Sequence, residues 1–435
     1  MSEIKINRLV LIGNGFDLAH GLKTSFFDFI NYCAFEILRT IHQKVHNKDT
    51  YPNLMIEHNI INLSETHKIL DRCLKFYRNT DSDEMKQKLN ILKEFKSEPN
   101  FKYDKNTDYF KSPISFFDLI NEGILKANDL KEKLSLYSTS NNAINIFNNK
   151  LFRLIFTNII KGNNTKNWGG IEHDFYQTLL EVDKFYAQNS TRDGIDILNE
   201  EFQNIINCFT YYMESIASRQ QPKFIPKILE HIKKTIQKRE LNNKLEFLNQ
   251  KPSLRDLATN TKLPLYYQVN ETLFLNFNYT NTIVNYIQND PSDIKEKHIQ
   301  IHGKLNDKYN SIIFGYGDEK DSSYQELENK NDNRYLQYSK SLHYLLNSNY
   351  KDLLTFLEQD MYQVYIWGHS CATSDRVLLQ TIFEHENCVS IKPFFYKSHD
   401  GTDNFTDLCT NISRSFTDKK KFRDVVVNKK YCEPL

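Results

Sequence analysis

The sequence predicts an α/β fold in which a parallel sheet, built from both ends of the chain, is interrupted by a long helical segment. Three observations predict it. An apolar run at residues 8–12 leads into the glycine turn Gly13-Asn14-Gly15, helical patterns fill the middle of the chain, and apolar runs return in its last third. A short apolar run without alternation is typical of a parallel strand buried on both faces. Because a lone strand is not stable, we expect the two ends to pack together.

The first strand is followed by a turn and then by a helix. Ser25 and Asp28 have capping-box spacing, and apolar residues recur at helical spacing after them. A glycine turn lets the backbone approach a phosphate, and a helix N-terminus supplies free N–H donors, so this order is typical of the start of a nucleotide-binding α/β fold. Leu18 stands where a GxGxxG motif would have its third glycine, which argues against a plain dinucleotide-binding dehydrogenase. The alternative is a strand-to-helix turn without a ligand.

The spacing of apolar residues also predicts the later helices and strands and the limits of the domains. We expect a discontinuous core at 1–40 and 265–410, a helical insertion at 41–264 that acts as a lid or a sensor, and a C-terminal tail at 411–435. Helical patterns occur at 69–77, 114–130, 175–185, 226–248 and 375–384, and the later strands are expected at 272–276, 298–302, 311–314, 363–367 and 389–396.

Composition narrows the function classes. The 435 residues carry 56 Lys and Arg against 55 Asp and Glu, a net charge of +1, which argues against binding nucleic acid or membranes by bulk charge. No run approaches the roughly 18 apolar residues of a membrane span. The seven cysteines are scattered without a CxxC pair, so neither a zinc site nor a disulfide framework is expected. We therefore expect a cytoplasmic protein without a metal.

Polar side chains follow the predicted strand at 272–276. Asn276, Asn278 and Asn281 come at its end, where α/β proteins place their sites, and asparagine can hold a water or a ribose hydroxyl. The alternative is a turn in which asparagine makes local backbone hydrogen bonds.

Two further strands end in candidate site residues. His302 ends one strand beside Gly303 and is placed for proton transfer near neutral pH, although a structural histidine is the alternative.

After the strand at 363–367 come Gly368, Ser370 and Asp375. Ser370 could bind a ribose or a phosphate, and Asp375 could instead cap a helix. No GxSxG motif is present, so a Ser-His-Asp hydrolase is not supported.

One more candidate lies in the insertion. Trp168 and Glu172 could start a helix and point into a cleft, but structural anchoring by Trp168 is the favoured interpretation.

Five blocks carry a family resemblance: GNGFDLAHGL, the segment 168–172, FNYTNTI, IHGKLND and WGHSCATSDR. In this order they resemble the AbiH family of bacteriophage abortive infection proteins. That family is in turn similar to the sirtuin-like domains of anti-phage systems, which implies a Rossmann-like (sirtuin-like) parallel sheet and an antiviral defense role.

The resemblance also implies roles for single residues. Asn278 and His302 match the catalytic pair of sirtuin-like NADases. Asp17 would bind the ribose or cap the next helix. Phe277 and Thr280 stand where those domains have Thr and Asp. The residues that would bind the dinucleotide are Gly13, Asn14, Gly15, Phe16, Asp17, Tyr279, Gly303, Gly368, Ser370 and Asp375.

The function implied by the resemblance is hydrolysis of NAD⁺ to nicotinamide and ADP-ribose by an abortive-infection effector. NAD would be the substrate, with no metal, and the expected partners are a phage-derived trigger and a second copy of the chain, not a membrane or nucleic acid. Two alternatives stay open: a non-catalytic switch that binds NAD or ADP-ribose and signals to a partner, and a nuclease.

Overall fold

The computed structural model describes residues 5–46, 54–61, 71, 74, 78, 83–97, 147–160, 168–186, 192–241, 266–288, 294–317 and 319–435. These residues form a mixed α/β structure with one main sheet. Its strands are β1 (Lys5–Ile12), β2 (Ile236–Gln237), β3 (Tyr266–Asn276), β4 (Lys295–Gln300), β5 (Tyr362–Trp367) and β6 (Cys388–Phe394).

Five of these strands pair in parallel. β1 lies in the centre between β3 and β5, β4 pairs with the far side of β3, and β6 pairs with the far side of β5. The short β2 pairs antiparallel with the first residues of β3. Parallel pairing brings the carboxyl ends of the five strands to the same edge of the sheet. The loops after β1, β3, β4 and β5 therefore start side by side.

The sheet is covered on both faces. Leu9 and Leu11 of β1 belong to a core shared with helices that follow β4 and β5, whereas Val10 and Ile12 point to the other face, where Phe16 packs. Alternate side chains of a strand point to opposite faces, so a strand covered on both is mostly apolar. Every residue of β5 and β6 is buried, including the polar Gln363, Ser390 and Lys392.

Five of the six predicted strands are present with shifted limits, and the one expected at 311–314 is absent. Those residues form an irregular segment in which the Ile313 N–H donates to the His302 carbonyl (2.8 Å), while Lys304 N–H donates to Asn310 (2.8 Å). The segment closes back on the turn after β4 and does not extend the sheet. Its apolar side chains Ile313 and Phe314 are buried nonetheless, so burial gave the run its strand-like pattern.

Helices make up most of the remaining described residues. The capping box at α2 is confirmed, because the N–H of Ser25 donates to Asp28 (3.1 Å) and the N–H of Asp28 donates to Ser25 (3.0 Å). The α-helices are α1 (Asn14–Ala19), α2 (Phe26–Val45), α3 (Leu54–Glu57), α4 (Asp83–Ser97), α5 (Lys150–Ile160), α6 (Trp168–Leu180), α7 (Val182–Phe185), α8 (Gly194–Arg219), α9 (Pro226–Lys233), α10 (Val284–Ile287), α11 (Ser322–Glu328), α12 (Lys340–His343), α13 (Asn349–Gln359), α14 (Arg376–Phe383), α15 (Phe405–Arg414) and α16 (Lys419–Val425).

The helix predictions have mixed outcomes. The helix expected at 175–185 is present as α6 and α7, and the one at 375–384 as α14. In the pattern at 226–248, residues 226–233 form α9 and are followed by β2 and a 3₁₀ turn, while residues 242–248 lie outside the described residues. The helix at 114–130 and most of the one at 69–77 lie outside the described residues.

The chain divides into two compact units. Unit 1 comprises Met1–Thr24, Met213–Lys330 and Tyr338–Leu435, and unit 2 comprises Ser25–Tyr212 and Asn331–Gln337. The division differs from the predicted limits of the core and the insertion: α2 belongs to unit 2, and α9 belongs to unit 1 with the sheet. α9 lies there because the buried guanidinium of Arg8 in β1 donates to the carbonyl oxygens at the end of α9.

The segment 411–435, expected as a tail, packs on the sheet. The Val427 N–H donates to the Ile391 carbonyl of β6 (2.9 Å), and Val425 is buried in the core. No helix among the described residues has the length and apolar character needed to cross a membrane.

Candidate functional site

The turns after β1 and β5 touch through glycine. The Gly13 N–H donates to the Trp367 carbonyl (3.0 Å), and the Gly15 N–H donates to the Gly368 carbonyl (2.8 Å). A Cβ on Gly13 would lie 2.4 Å from the Cα of His369. Gly368 has φ +67°, and a Cβ there would lie 2.1 Å from the Phe16 nitrogen. The glycines therefore permit two backbones to meet at the carboxyl edge of the sheet.

This contact uses the N–H groups expected to face a phosphate. Besides Gly13 and Gly15, the Phe16 N–H donates within the turn, to the Gly13 carbonyl (2.9 Å). The Phe16 ring is buried and stacks on Trp367 with 5.9 Å between centroids, while Asn14 is half-buried. Three of the backbone donors in this turn are thus occupied by the protein itself.

Asp17 is buried behind the turn. Its Oδ2 accepts a hydrogen bond from the Thr280 hydroxyl (2.6 Å), and its Oδ1 has no hydrogen-bond partner among the described residues. Burial raises the pKa of Asp17 to about 6, although hydrogen bonding by Thr280, Thr282 and Asn278 opposes the shift. The helix that follows is capped by Ser25 and Asp28, so the Asp17 carboxylate serves the loop after β3 and not that helix.

The loop after β3 is ordered by its asparagines. The Asn276 Oδ1 accepts from the Asn278 N–H (2.9 Å), which is the local turn bonding considered from the sequence. Asn278 also reaches another loop, because its Nδ2 donates to the Gly13 carbonyl (3.0 Å). Tyr279 donates its hydroxyl to the Ile313 carbonyl (3.0 Å), and Asn281 is exposed. Asn278 therefore joins the turns after β1 and β3.

His302 follows β4 and lies beside the loop after β3. Its ring packs edge to face on Phe277, the neighbour of Asn278, with 5.1 Å between centroids. Gly303 has φ +87°, and a Cβ there would lie 2.1 Å from the Ser311 carbonyl oxygen. The turn after His302 therefore has a backbone conformation and a close approach that favour glycine.

A buried cluster of charged and titratable groups surrounds Asp375. Its Oδ1 lies 2.9 Å from the Lys340 Nζ and 3.3 Å from the His302 Nε2, and its Oδ2 lies 3.6 Å from the His369 Nε2. The Tyr344 hydroxyl lies 3.2 Å from the same His302 nitrogen. A carboxylate in such a setting is stabilised by its cationic and N–H neighbours.

The environment sets the charge state of this cluster. Burial lowers the pKa of His302 and the Lys340 charge lowers it further, while Asp375 opposes the shift. Burial alone would raise the pKa of Asp375, but Lys340 and then His302 outweigh it and hold that pKa well below its ordinary value. Near neutral pH the cluster therefore contains an ionised carboxylate beside a neutral imidazole that can accept a proton.

A cavity of about 210 Å³ opens onto this cluster. Asp375, Lys340 and Tyr344 contribute polar groups to its wall, and Tyr350 stacks in parallel on Tyr344 with 5.8 Å between centroids. Of the predicted site residues, all of which the structure describes, Asp375 is the one that lines this cavity. Ser370 is exposed.

Sequence reasoning missed Lys340, His369 and Tyr344. His369 stands between two residues that were singled out, Gly368 and Ser370, and its position after β5 was a usable signal. Lys340 and Tyr344 lie in and just after α12, in a stretch with no motif.

Trp168 packs inside unit 2. Its ring lies 5.5, 5.7 and 4.6 Å from the rings of Phe26, Phe29 and Phe209. Glu172 is buried in the same helix, α6. Structural anchoring by Trp168 accounts for these contacts. Among the residues that the structure describes, no group of three or more His, Cys, Asp or Glu side chains could hold a metal ion.

No curated protein and no solved structure matches the chain. The sequence model of the family described as "Bacteriophage abortive infection AbiH" matches residues 9–397, which include the turns after β1, β3, β4 and β5. The match spans most of the 435 residues, and the chain therefore belongs to the bacteriophage abortive infection AbiH family.

Proposed function

We propose that this protein is an anti-phage abortive-infection effector that hydrolyses the N-glycosidic bond of NAD⁺, releasing nicotinamide and ADP-ribose. Family membership supports the defense role. The observation that carries the proposed chemistry is the convergence of Asn278 and His302, which follow neighbouring strands and are linked through the ring of Phe277. A phage-derived trigger and self-association are part of this proposal, because an unregulated enzyme of this kind would kill its host.

The order of the parallel strands supports a nucleotide-binding fold. Numbered along the chain, the five parallel strands are arranged 3-2-1-4-5, the order of a doubly wound, Rossmann-like sheet. Such sheets bind ligands outside the carboxyl ends of the strands, where the order reverses. Here that point lies between β1 and β5, where Gly13 and Gly368 approach each other.

The residues suit the chemistry of glycosidic cleavage. When the bond breaks, its electron pair goes to the nicotinamide nitrogen, which leaves neutral, while positive charge develops on the ribose. A neutral His302 could accept the proton of the attacking water and contribute about 10²–10⁴-fold to the rate. The Asn278 amide, fixed by its bond to Gly13, could orient that water or the ribose hydroxyls through its oxygen.

In this proposal the glycine turn offers fewer N–H donors to a phosphate than the sequence implied. The N–H groups of Gly13, Gly15 and Phe16 donate to carbonyl oxygens of the protein. Phosphate binding would therefore need donors other than these three. The turn instead brings the loop of Asn278 and the loop of His369 close together.

The test is nicotinamide release from NAD⁺ by the purified full chain, with and without lysate from phage-infected cells. We expect release by the wild type, and a loss of about 10²–10⁴-fold in Asn278→Ala and His302→Gln. His385 precedes β6 at the opposite edge of the sheet, so His385→Gln is the matched control and should keep the wild-type rate. Full activity in the first two variants would exclude the site, and no release under either condition would exclude the activity.

A second candidate is the non-catalytic switch that binds NAD⁺ or ADP-ribose. The observation that favours it is the bonding of the Asn278 amide inside the protein, which suits a structural role. This candidate predicts heat of binding for NAD⁺ or ADP-ribose in a calorimeter without turnover under any trigger.

A further inference from the structure

We propose that Asp375 is a positioning residue that holds His302 in the tautomer whose Nδ1 accepts the proton of the attacking water. This inference rests on the proposed function for its reaction, but its structural content can be measured separately. It gives Asp375 a different task from the dinucleotide contact expected from the sequence.

The geometry around His302 determines the tautomer. The Nε2 nitrogen lies 3.3 Å from the Asp375 Oδ1 and 3.2 Å from the Tyr344 hydroxyl. An ionised carboxylate can only accept hydrogen bonds, so its approach to Nε2 favours the tautomer in which Nε2 carries the proton and Tyr344 accepts. No described residue makes a hydrogen bond to the Nδ1 of His302. In the neutral ring Nδ1 is then the basic nitrogen.

A second histidine also turns its Nε2 toward Asp375. The Nδ1 of His369 accepts a hydrogen bond from the Cys371 N–H (3.0 Å), which places the ring proton on Nε2, 3.6 Å from the Asp375 Oδ2. With the Lys340 ammonium at 2.9 Å, the carboxylate faces three donors. One positive and one negative charge balance within the cluster, so its burial is compatible with two neutral imidazoles.

The proposed proton movements balance. The water oxygen bonds to the anomeric carbon of the ribose as the bond from that carbon to the nicotinamide nitrogen breaks. One water proton moves to the Nδ1 of His302, which becomes an imidazolium held by Asp375. That proton then passes to solvent, so the sum is NAD⁺ and water giving nicotinamide, ADP-ribose and a proton.

Two variants separate the charge of Asp375 from its acceptor function. Asp375→Asn keeps an oxygen for Lys340 and His302 but removes the negative charge. The double variant Lys340→Met with Asp375→Leu removes the acceptor without leaving a buried ammonium unpaired. In the double variant Tyr344 can donate to Nε2, so we expect the His302 proton to move to Nδ1.

The first measurement is the ¹⁵N spectrum of histidine-labelled full chain, with the His302 signals assigned through His302→Gln. We expect a protonated Nε2 in the wild type and a protonated Nδ1 in the double variant. Asp424 is exposed on α16, and Asp424→Asn should leave the spectrum unchanged. A protonated Nδ1 in the wild type, or an unchanged tautomer in the double variant, overturns the proposal whether or not NAD⁺ is cleaved.

The second measurement is the pH profile of kcat/KM. The groups that face His302 are Asp375, Lys340, His369 and Tyr344, and Asp375 is the one that favours its protonation. Asp375→Asn should therefore shift the acid limb to lower pH by at least about one unit. The double variant should lose about 10²–10⁴-fold in kcat with little change in KM. An unshifted limb in an active Asp375→Asn enzyme contradicts the positioning role and leaves NAD⁺ hydrolysis standing.

Discussion

The Gly15 N–H donates to the Gly368 carbonyl over 2.8 Å, so the turns after two central strands meet backbone to backbone. No side chain fits between them, since a Cβ on Gly15 would lie 2.8 Å from that same carbonyl oxygen. The contact holds the loop of Asn278 next to the loop of His369. The contact is therefore part of the candidate site as well as of the fold.

Gly368→Ala should destabilise unit 1 by about 2–5 kcal/mol, because the backbone has a positive φ and the added Cβ would collide with the Phe16 nitrogen. Gly401 is the matched control. It has φ +88° with open space around it, so Gly401→Ala should cost only about 1–2 kcal/mol. The measurement is urea unfolding followed by the fluorescence of Trp367 in a Trp168→Phe background. Equal losses in both variants would show that crowding at Gly368 is unimportant.

Lys392→Met should lower the free energy of unfolding by about 3–5 kcal/mol, since it leaves the buried Glu240 carboxylate without its ammonium partner 2.9 Å away. Adding Glu240→Gln should restore most of that loss, and the double-mutant cycle in the same unfolding assay gives the coupling energy. The comparison is Lys429, whose side chain is exposed where it pairs with Asp403, and Lys429→Met should lower the free energy of unfolding far less than Lys392→Met. Independent, additive effects at positions 392 and 240 would contradict the pairing.

Asp17→Asn should stabilise the protein at pH 7.5 by up to about 3 kcal/mol. Burial raises the pKa of Asp17 from 3.8 to about 6, so the folded chain holds this proton over a range in which the unfolded chain has lost it. The contribution of Asp17 to stability is therefore highest below pH 4, falls between pH 4 and 6, and is fully lost above that.

Unfolding free energies at pH 4 and pH 7.5 check this prediction. Wild type and Asp17→Asn should be similar at the lower pH and differ at the higher, whereas the exposed Asp424→Asn should follow the wild type at both. A wild-type protein that gains stability from Asp17 as the pH rises would reverse the sign and contradict it.

Trp168→Ala should lower the free energy of unfolding of α2 and α6 by about 3 kcal/mol, because it removes ring contacts to Phe26, Phe29 and Phe209. Amide hydrogen exchange in both helices should accelerate about 10²-fold. Phe27 lies on α2 beside Phe26 but is 53 % exposed, so Phe27→Ala should leave amide exchange near the wild-type rate. Unchanged exchange in Trp168→Ala would remove the anchoring role.

Local pattern predicted the central strands because each is buried on both faces, which leaves a mostly apolar run in the sequence. The run at 311–314 has the same composition for another reason: Ile313 is buried by an irregular segment that turns back on His302. Burial and strand pairing leave the same trace over four residues, so no pattern of that length separates them.

The glycine pattern indicated a close approach at Gly13 and Gly15, and the expected neighbour was a phosphate. In the structure these two residues approach the backbone of Gly368 and His369. The cluster around Asp375 could not be assembled in advance, because Lys340 precedes it by 35 positions and reaches it through the placement of α12. Spacing along the chain carries no information on such a contact.

The central place of β1 has a consequence for the timing of synthesis. β1 is made first, yet its partner residue Trp367 is added roughly 350 residues later. At about 5–20 residues per second, the ribosome needs roughly 20–70 s to supply that partner. Until then the turn after β5 does not exist, and neither do His369 and Asp375. The candidate site therefore cannot assemble before those residues have been synthesised.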